Sequence, residues 1–516
     1  MKQKYFWTII PIISFLFLNE LILDDKIPLA SDMVAHEPIK KWIDSTSEFP
    51  HWFPNLFSGM PSYGGYIYTP GHPLKIVLDF LLFNTGVKLW FYLSIGGLGL
   101  FFFLKFLKVS NYSSLFAGIA YSLTPYVFGL ISAGHNNKIM AGGFIPWVVF
   151  GAIYMFKYPS IKSVLFFSIA SALQLWTNHP QIVYYTWMVI GLWWLLNLIF
   201  IIVKKESNVK KSLNNLGLML LSLVISLLMV SDPYYEVYTF QGESNRGAPS
   251  VLDDTNDTEK GTKWDYATQW SFHPSESISL ILPYYYGLQN FSVKDRSNPE
   301  KVMKQASYWG YMPFTQSTHY LGLLIIIISF FSLWYCFKIK DFSRTELYLW
   351  IIAIAVLVTG FGSHFSILYK PLFKLAPFFS KFRVPSMIYM MLSLLLPMIA
   401  AIGLDKITNR NNKNTLFDDA VKIFGMFIAL SLIFLLIGES LLSFSSSGDV
   451  RFTQYVEIVK NIRIDLFNKG VIIALLISSG ALFSIWLYSK DRISKQILSI
   501  IPVSYTHLTL PTILLV

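Results

Sequence analysis

Residues 181–203 read QIVYYTWMVIGLWWLLNLIFIIV, twenty-three positions without a charge, and Lys204 and Lys205 follow at once. Wound as a helix, this stretch is about 34 Å long, against a bilayer hydrocarbon core of about 30 Å. An apolar run of this length closed by lysines reads as a membrane-spanning helix stopped at the polar boundary. Similar runs occupy residues 5–23, 87–104, 112–131, 139–156, 161–177 and 213–230 in the same half of the chain. The other half offers 319–337, 347–362, 386–404, 423–438 and 471–488, with a thirteenth beginning near Ile497.

Composition agrees. Of 516 residues, 54% are hydrophobic and 14% charged, more apolar sequence than the core of a globular domain requires. The net charge of +11 would suit nucleic acid, but the cations are scattered between hydrophobic segments, as in a membrane protein that keeps Lys and Arg in its loops. The single cysteine, Cys336, excludes an internal disulfide. Residues 1–23 have the basic start and apolar stretch of a signal peptide without a small-residue cleavage site, so they read as a retained first helix. The final stretch, 503–516, contains VSYTHLTLPT, which resembles a translated sequencing adapter. It is set apart from the polytopic domain, 1–502, and the natural C-terminus is expected to lie elsewhere.

The basic residues give an orientation. Lys105 and Lys108, Lys157 and Lys162, Lys204 to Lys211, Lys338 to Arg344, Lys406 to Lys413, and Lys490 to Lys495 all fall in alternate turns. With a cytoplasmic N-terminus these are the inside turns of a bacterial inner-membrane protein. The long loops, about 24–86, 231–318, 363–385 and 439–469, then lie outside. They are rich in aromatic, Pro and Gly residues, unlike disordered linkers, and are expected to pack as a small extracytoplasmic cap. Residues 73–83, PLKIVLDFLLF, are too short to span and read as an interfacial helix.

Several loop residues are suited to chemistry. Asp32, beside His36 and Glu37, follows the first span; it could serve as a general base, bind a cation, or simply cap a short helix. His36-Glu37 is no zinc-protease motif, because Lys40 stands where a second His is needed. Trp52, Tyr63, Gly64, Gly65, Tyr66 and Tyr68 could stack on a sugar or form an interfacial aromatic belt. His135 and Lys138 in the short turn SAGHNNKI, and Asn178, His179 and Gln181 in TNHPQ, could bind phosphate or merely make turns. Lys370, Lys374, Lys381 and Arg383 form a positive cluster outside, against the usual bias. An anionic lipid or a diphosphate carrier would explain it, and Arg383 could hold a phosphate with both arms of its fork or pair with a carboxylate. No P-loop, G-x-G-x-x-G or Cys/His metal spacing occurs, so no cofactor is expected, though a divalent cation fits the acidic first loop.

Ordered soft motifs resemble the YfhO family of bacterial membrane proteins, which is similar to the GT-C class of glycosyltransferases. They are Ser31-Asp32, Trp52-Phe53-Pro54 through Gly59-Met60-Pro61 to Pro70, and Gly134-His135 with Lys138. Trp270-Ser271-Phe272 with Pro274 and Glu276 leads on to Pro283 and Gly287. Gly310, Pro313-Phe314, Tyr320-Leu321-Gly322 and Phe382-Arg383-Val384-Pro385 complete the set, over residues 1–400. The resemblance implies an all-α integral membrane fold, a GT-C-like bundle of 12–13 transmembrane helices under a loop cap. It implies transfer of a sugar from a polyprenyl-phosphate donor to a cell-envelope acceptor on the outer face. Asp32 would be the base, with His135, Lys138 and Arg383 stabilising the departing phosphate and His36, His179 and Gln181 completing the binding set. The alternative is a non-catalytic lipid or polysaccharide transporter, or an envelope assembly factor.

Overall fold

The computed structural model describes residues 3–24, 26, 38–39, 41–54, 58–62, 73–242, 244, 262–288, 291–294, 302–305, 307–315, 319–409, 413–452 and 456–498. Asp32, His36, Tyr63–Tyr68 and 503–516 lie outside these residues.

All twelve expected spans fall on helices, and the chain is a multi-pass integral membrane protein. Among the described residues nine helices are long and apolar enough to cross a membrane. Helix α1 (Ile9–Leu23) follows a 3-10 turn, and the short α2 (Pro73–Leu81) precedes α3 (Thr85–Phe106). Next come α4 (Asn111–Ser122), α5 (Pro125–Ala133), α6 (Asn136–Lys157), α7 (Ile161–Trp176), α8 (Pro180–Val203) and α9 (Val209–Met229). Two short helices, α10 (Ser231–Gln241) and α11 (Trp264–Ala267), lie in the second long loop. The rest are α12 (Leu323–Ile339), α13 (Arg344–Gly360), α14 (Tyr369–Leu375), α15 (Leu392–Thr408), α16 (Lys413–Leu441) and α17 (Val456–Ser489). Among the described residues strands are confined to two antiparallel pairs, Trp52–Phe53 with Met60–Pro61 and Phe291–Lys294 with Val302–Gln305. The long loops share one end of the bundle, here the loop end, and the lysine-rich turns the other, the basic end.

The helices correct the sequence reading in three places. The span expected over 112–131 is two helices, because Pro125 cannot donate to the turn before it and restarts the helix at its first position. The span expected from His319 begins instead at Leu323, leaving His319 in the loop. Most of the fourth outside loop, 439–469, is helix: α16 runs on to Leu441 and α17 starts at Val456. At 34 residues α17 is about 50 Å long, well beyond the hydrocarbon thickness. Pro73–Leu81, within the stretch 73–83, form the short α2. α2 leaves Ile76, Val77, Phe80 and Leu81 exposed.

The core lies around α4 and α5, whose membrane window is wholly buried, whereas only 22% of the α16 window is. Small residues bring the neighbours close. A Cβ added at Gly97 would come to 2.6 Å from the Gly118 carbonyl oxygen, and one at Gly118 to 2.8 Å from that of Gly97. Such backbone-to-backbone approach is how membrane helices gain dispersion contact without a hydrophobic driving force between them. Half-buried indoles cross-link the same region: Trp90 donates to the Pro11 carbonyl and Trp147 to that of Ile95, each at 2.8 Å. At the basic end Lys338 pairs with the buried Asp419 at 2.7 Å, and a Ser343–Glu346 capping box opens α13.

At the loop end one cation ties three segments together. Arg463 on α17 is 2% exposed and meets Asp449 with two nitrogens, at 2.7 and 2.8 Å. It also donates to the carbonyls of Phe444, at 2.8 Å, and Ser307, at 3.0 Å. The loop so held presents Tyr308, whose hydroxyl donates to Glu276 at 2.8 Å, while the Tyr311 N–H donates to the other carboxylate oxygen at 2.9 Å. Burial alone would raise the Asp449 carboxyl, but the Arg463 hydrogen bonds and the Ser446 N–H hold it below the usual value. Glu276 has no such cation among the described residues, and burial pushes it up to about 6, against the pull of its donors.

Removing one partner of a buried pair strands the other charge, at a cost of about 3–5 kcal/mol. Asp449→Asn is therefore expected to lower the thermal unfolding midpoint of the detergent-solubilised protein, and Asp449→Leu with Arg463→Met to recover part of the loss. The two carboxyls carry opposite pH signatures. The Asp449 contribution is full above its unfolded value of 3.8 and is lost as pH falls from there through its depressed value. The Glu276 contribution is full below its unfolded value of 4.5 and is lost as pH rises through about 6. Glu276→Gln should abolish the decline in unfolding midpoint across that second window and leave the acid limb unchanged.

Candidate functional site

Two short turns at the loop end carry the polar residues singled out from sequence. Gly134 closes α5 in the left-handed conformation, with φ 79°, and His135 enters α6 at its N-cap. Lys138, in the first turn of α6, is near enough to the His319 imidazole for its charge to be felt there. Burial first, and that charge second, push His319 down to about 4, so at neutral pH the ring is uncharged. The ring sits among aromatics, with centroids 5.0 Å from Phe272, 5.9 Å from Tyr126 and 6.3 Å from Tyr389.

The second turn separates its two candidates. His179 is the N-cap of α8, and its Nδ1 accepts from the Ile182 N–H at 3.4 Å. Gln181, two residues on, is buried and donates to the Tyr185 hydroxyl at 2.9 Å and to the Arg383 carbonyl at 2.6 Å. It therefore positions the backbone of the arginine. Tyr126 lies within electrostatic reach of Tyr185, so the Lys138–His319 group and the Gln181–Arg383 group line adjoining parts of one end of the bundle.

Arg383 enters through a strained turn. Val384 holds φ at 61°, a conformation that β-branched residues rarely adopt and that costs on the order of 1–3 kcal/mol. The side chain is half-buried, donates from Nη1 to the Tyr266 hydroxyl at 2.6 Å, and lies 5.2 Å from that ring centroid. Among the described residues no carboxylate lies within ion-pairing distance of it, so the salt bridge weighed from sequence is not formed there. Lys370 and Lys374, grouped with it by sequence, are exposed on α14.

Behind this wall, Glu276, Ser279, Tyr308 and His319 border a cavity of about 20 Å³, room for roughly one water molecule. Among the described residues the buried Ser279 Oγ has no hydrogen-bond partner, which suits a water there. Gly362, at φ 52°, lets the chain pass against Ser271, whose Oγ receives the Ser363 N–H at 3.0 Å. That contact and the Phe272 N–H to the Gly360 carbonyl, at 3.1 Å, lock the WSF segment onto the end of α13.

Sequence reasoning missed Tyr266 and His319, and named Glu276 only within a motif. A carboxylate amid SFHPSESISLILPYYY, with no cation nearby in sequence, was the available signal for Glu276. Tyr266 offered none, since its partner is 117 positions away. Asp32 and His36 lie outside the described residues. Among the described residues no group of three His, Cys, Asp or Glu side chains is arranged to hold a metal ion.

No protein-family model matches the chain, and no curated protein does. Among solved structures, ArnT from Cupriavidus metallidurans, bound to undecaprenyl phosphate, matches over 86% of this chain at 12% identity with a TM-score of 0.42. This chain spans 66% of that protein's length.

Proposed function

We propose that the chain is a membrane glycosyltransferase of GT-C-like architecture, moving a sugar from a polyprenyl-phosphate donor to a cell-envelope acceptor at the loop end. On this reading the loop end faces outside and the N-terminus is cytoplasmic, in agreement with the lysines of the basic end. The observation that carries the proposal is Arg383. A half-buried guanidinium that meets a phenol, and no carboxylate among the described residues, retains the charge and donors for an incoming anion. Lys138 adds a second cation to the same end, and the order of motifs shared with the YfhO family supports sugar transfer as the use of the anion site.

The reaction needs a base for the acceptor and a sink for the leaving group. Asp32, in the first long loop, is assigned as the general base. The acceptor oxygen attacks the anomeric carbon, its proton passes to Asp32, the bond from that carbon to the phosphate oxygen breaks, and polyprenyl phosphate departs. Arg383 and Lys138 stabilise the charge that collects on the phosphate as it leaves, and Gln181 positions Arg383. Attack opposite the leaving phosphate inverts the anomeric centre.

The test is transfer of labelled sugar by the purified chain in proteoliposomes, from a panel of polyprenyl-phosphate sugars. Asp32→Asn keeps size and hydrogen bonding but removes basicity, and should lower turnover about 10²–10⁴-fold while donor binding persists. Arg383→Gln should weaken donor binding roughly 10-fold or more, with Arg383→Lys in between, because a point charge replaces a fork. Equal transfer by wild type and Asp32→Asn would remove Asp32 from the mechanism. Absence of transfer from every donor by the folded wild type would overturn the enzyme reading in favour of a transporter or assembly factor.

A further inference from the structure

The positive cluster that sequence places in the third long loop is divided by the structure. Arg383 turns inward to Tyr266, while Lys370 and Lys374 point away from the protein on α14. The inner face of α14 is firmly seated. Tyr369 is fully buried, 5.9 Å from Trp264 and 5.1 Å from Phe379 between ring centroids, and Phe373 packs on Trp264 at 5.2 Å.

The outer face is unusual for a surface in water. Ile367 is 64% exposed, Leu375 82% and Phe378 58%, and Phe365 and Leu368 are also exposed. These apolar side chains surround two lysines spaced i, i+4, which share one side of the helix. Among the described residues neither lysine makes an ion pair. The segment also joins the loop-end termini of two membrane helices, α13 and the 3-10 entry to α15, so it cannot lie far from the bilayer surface. A face with apolar groups below and ammonium groups able to reach upward along flexible stems is matched to the headgroup boundary of a membrane.

We infer that the face of 365–378 inserts into the headgroup region of the leaflet at the loop end, where Lys370 and Lys374 together bind the phosphate of an anionic phospholipid. The occupant is a resident bilayer lipid, and the inference stands whether or not the chain transfers sugar. The apolar residues set the depth, and the lysine pair sets the preference for anionic over zwitterionic headgroups. The positive charge at this end is thereby accounted for without placing it in the Arg383 site.

The experiment has two readings on the full chain. In a Cys336→Ser background, Leu375→Cys carrying a nitroxide is placed in bilayers of phosphatidylcholine with phosphatidylglycerol. Its accessibility to oxygen and to a water-soluble nickel chelate reports depth. Native mass spectrometry then compares retention of phosphatidylglycerol and phosphatidylcholine by wild type, Lys370→Gln/Lys374→Gln and Lys370→Arg/Lys374→Arg. The expected result is a nitroxide shielded from the nickel chelate, with at least a several-fold preference for phosphatidylglycerol in wild type and the arginine variant, lost in the glutamine variant. A water-exposed nitroxide would overturn the insertion. Equal lipid retention by wild type and the glutamine variant would overturn the headgroup site. Displacement of the retained phosphatidylglycerol by stoichiometric polyprenyl phosphate would also overturn it and assign the lysines to the donor.

Discussion

The loop end of this protein depends on a guanidinium buried where it must be fully satisfied. Arg463 is 2% exposed, and its donors reach Asp449 and the carbonyls of Phe444 and Ser307. Asp449 and Phe444 lie in the segment before the helix and Ser307 in the aromatic loop, so the membrane helix, that segment and the loop near Tyr308 are ordered by a single side chain. An unpaired charge at this depth would be unfavourable enough to make the arrangement nearly all-or-none. Glu276 then takes its position from Tyr308, and the cavity wall from Glu276. The placement of the candidate site is thus inherited from a contact outside it.

Packing within the membrane follows a different rule. Around α4 the helices approach through glycine and are joined by indole and hydroxyl donors to carbonyls, which suits a setting where water is absent and apolar burial alone does not favour one partner over another. The outer helices of the bundle present Leu, Ile and Phe to lipid. The outcome is a rigid centre that carries the two short turns at Lys138 and Gln181 on stiff supports.

The spans were legible because hydropathy over twenty residues is a one-dimensional signal, and Gln181–Arg383 lay within the residues chosen for their chemistry. What escaped was governed by distance in sequence or by charges that mask a helix. The first turns of α17, VEIVKNIRIDLF, contain too many charges to read as part of a span, although Arg463 is as buried as a core leucine. His319 read as the start of an apolar run because the residues after it are apolar, yet the backbone delays the helix to Leu323. Arg383 was legible as a cation without an obvious partner, but that it rests on Tyr266 required the fold.

The length of α17 has a mechanical consequence. From Ser489 to Arg463 the helix is a stiff rod of about 39 Å, anchored among lipid-facing helices at one end and gripping the Tyr308 loop at the other. A change in its tilt of about 5° would sweep the gripping end through about 3 Å, comparable to a hydrogen-bond length. Tilt is how long helices accommodate bilayer thickness. The geometry of the aromatic loop is therefore coupled to the thickness of the membrane around it, with α17 acting as the lever arm.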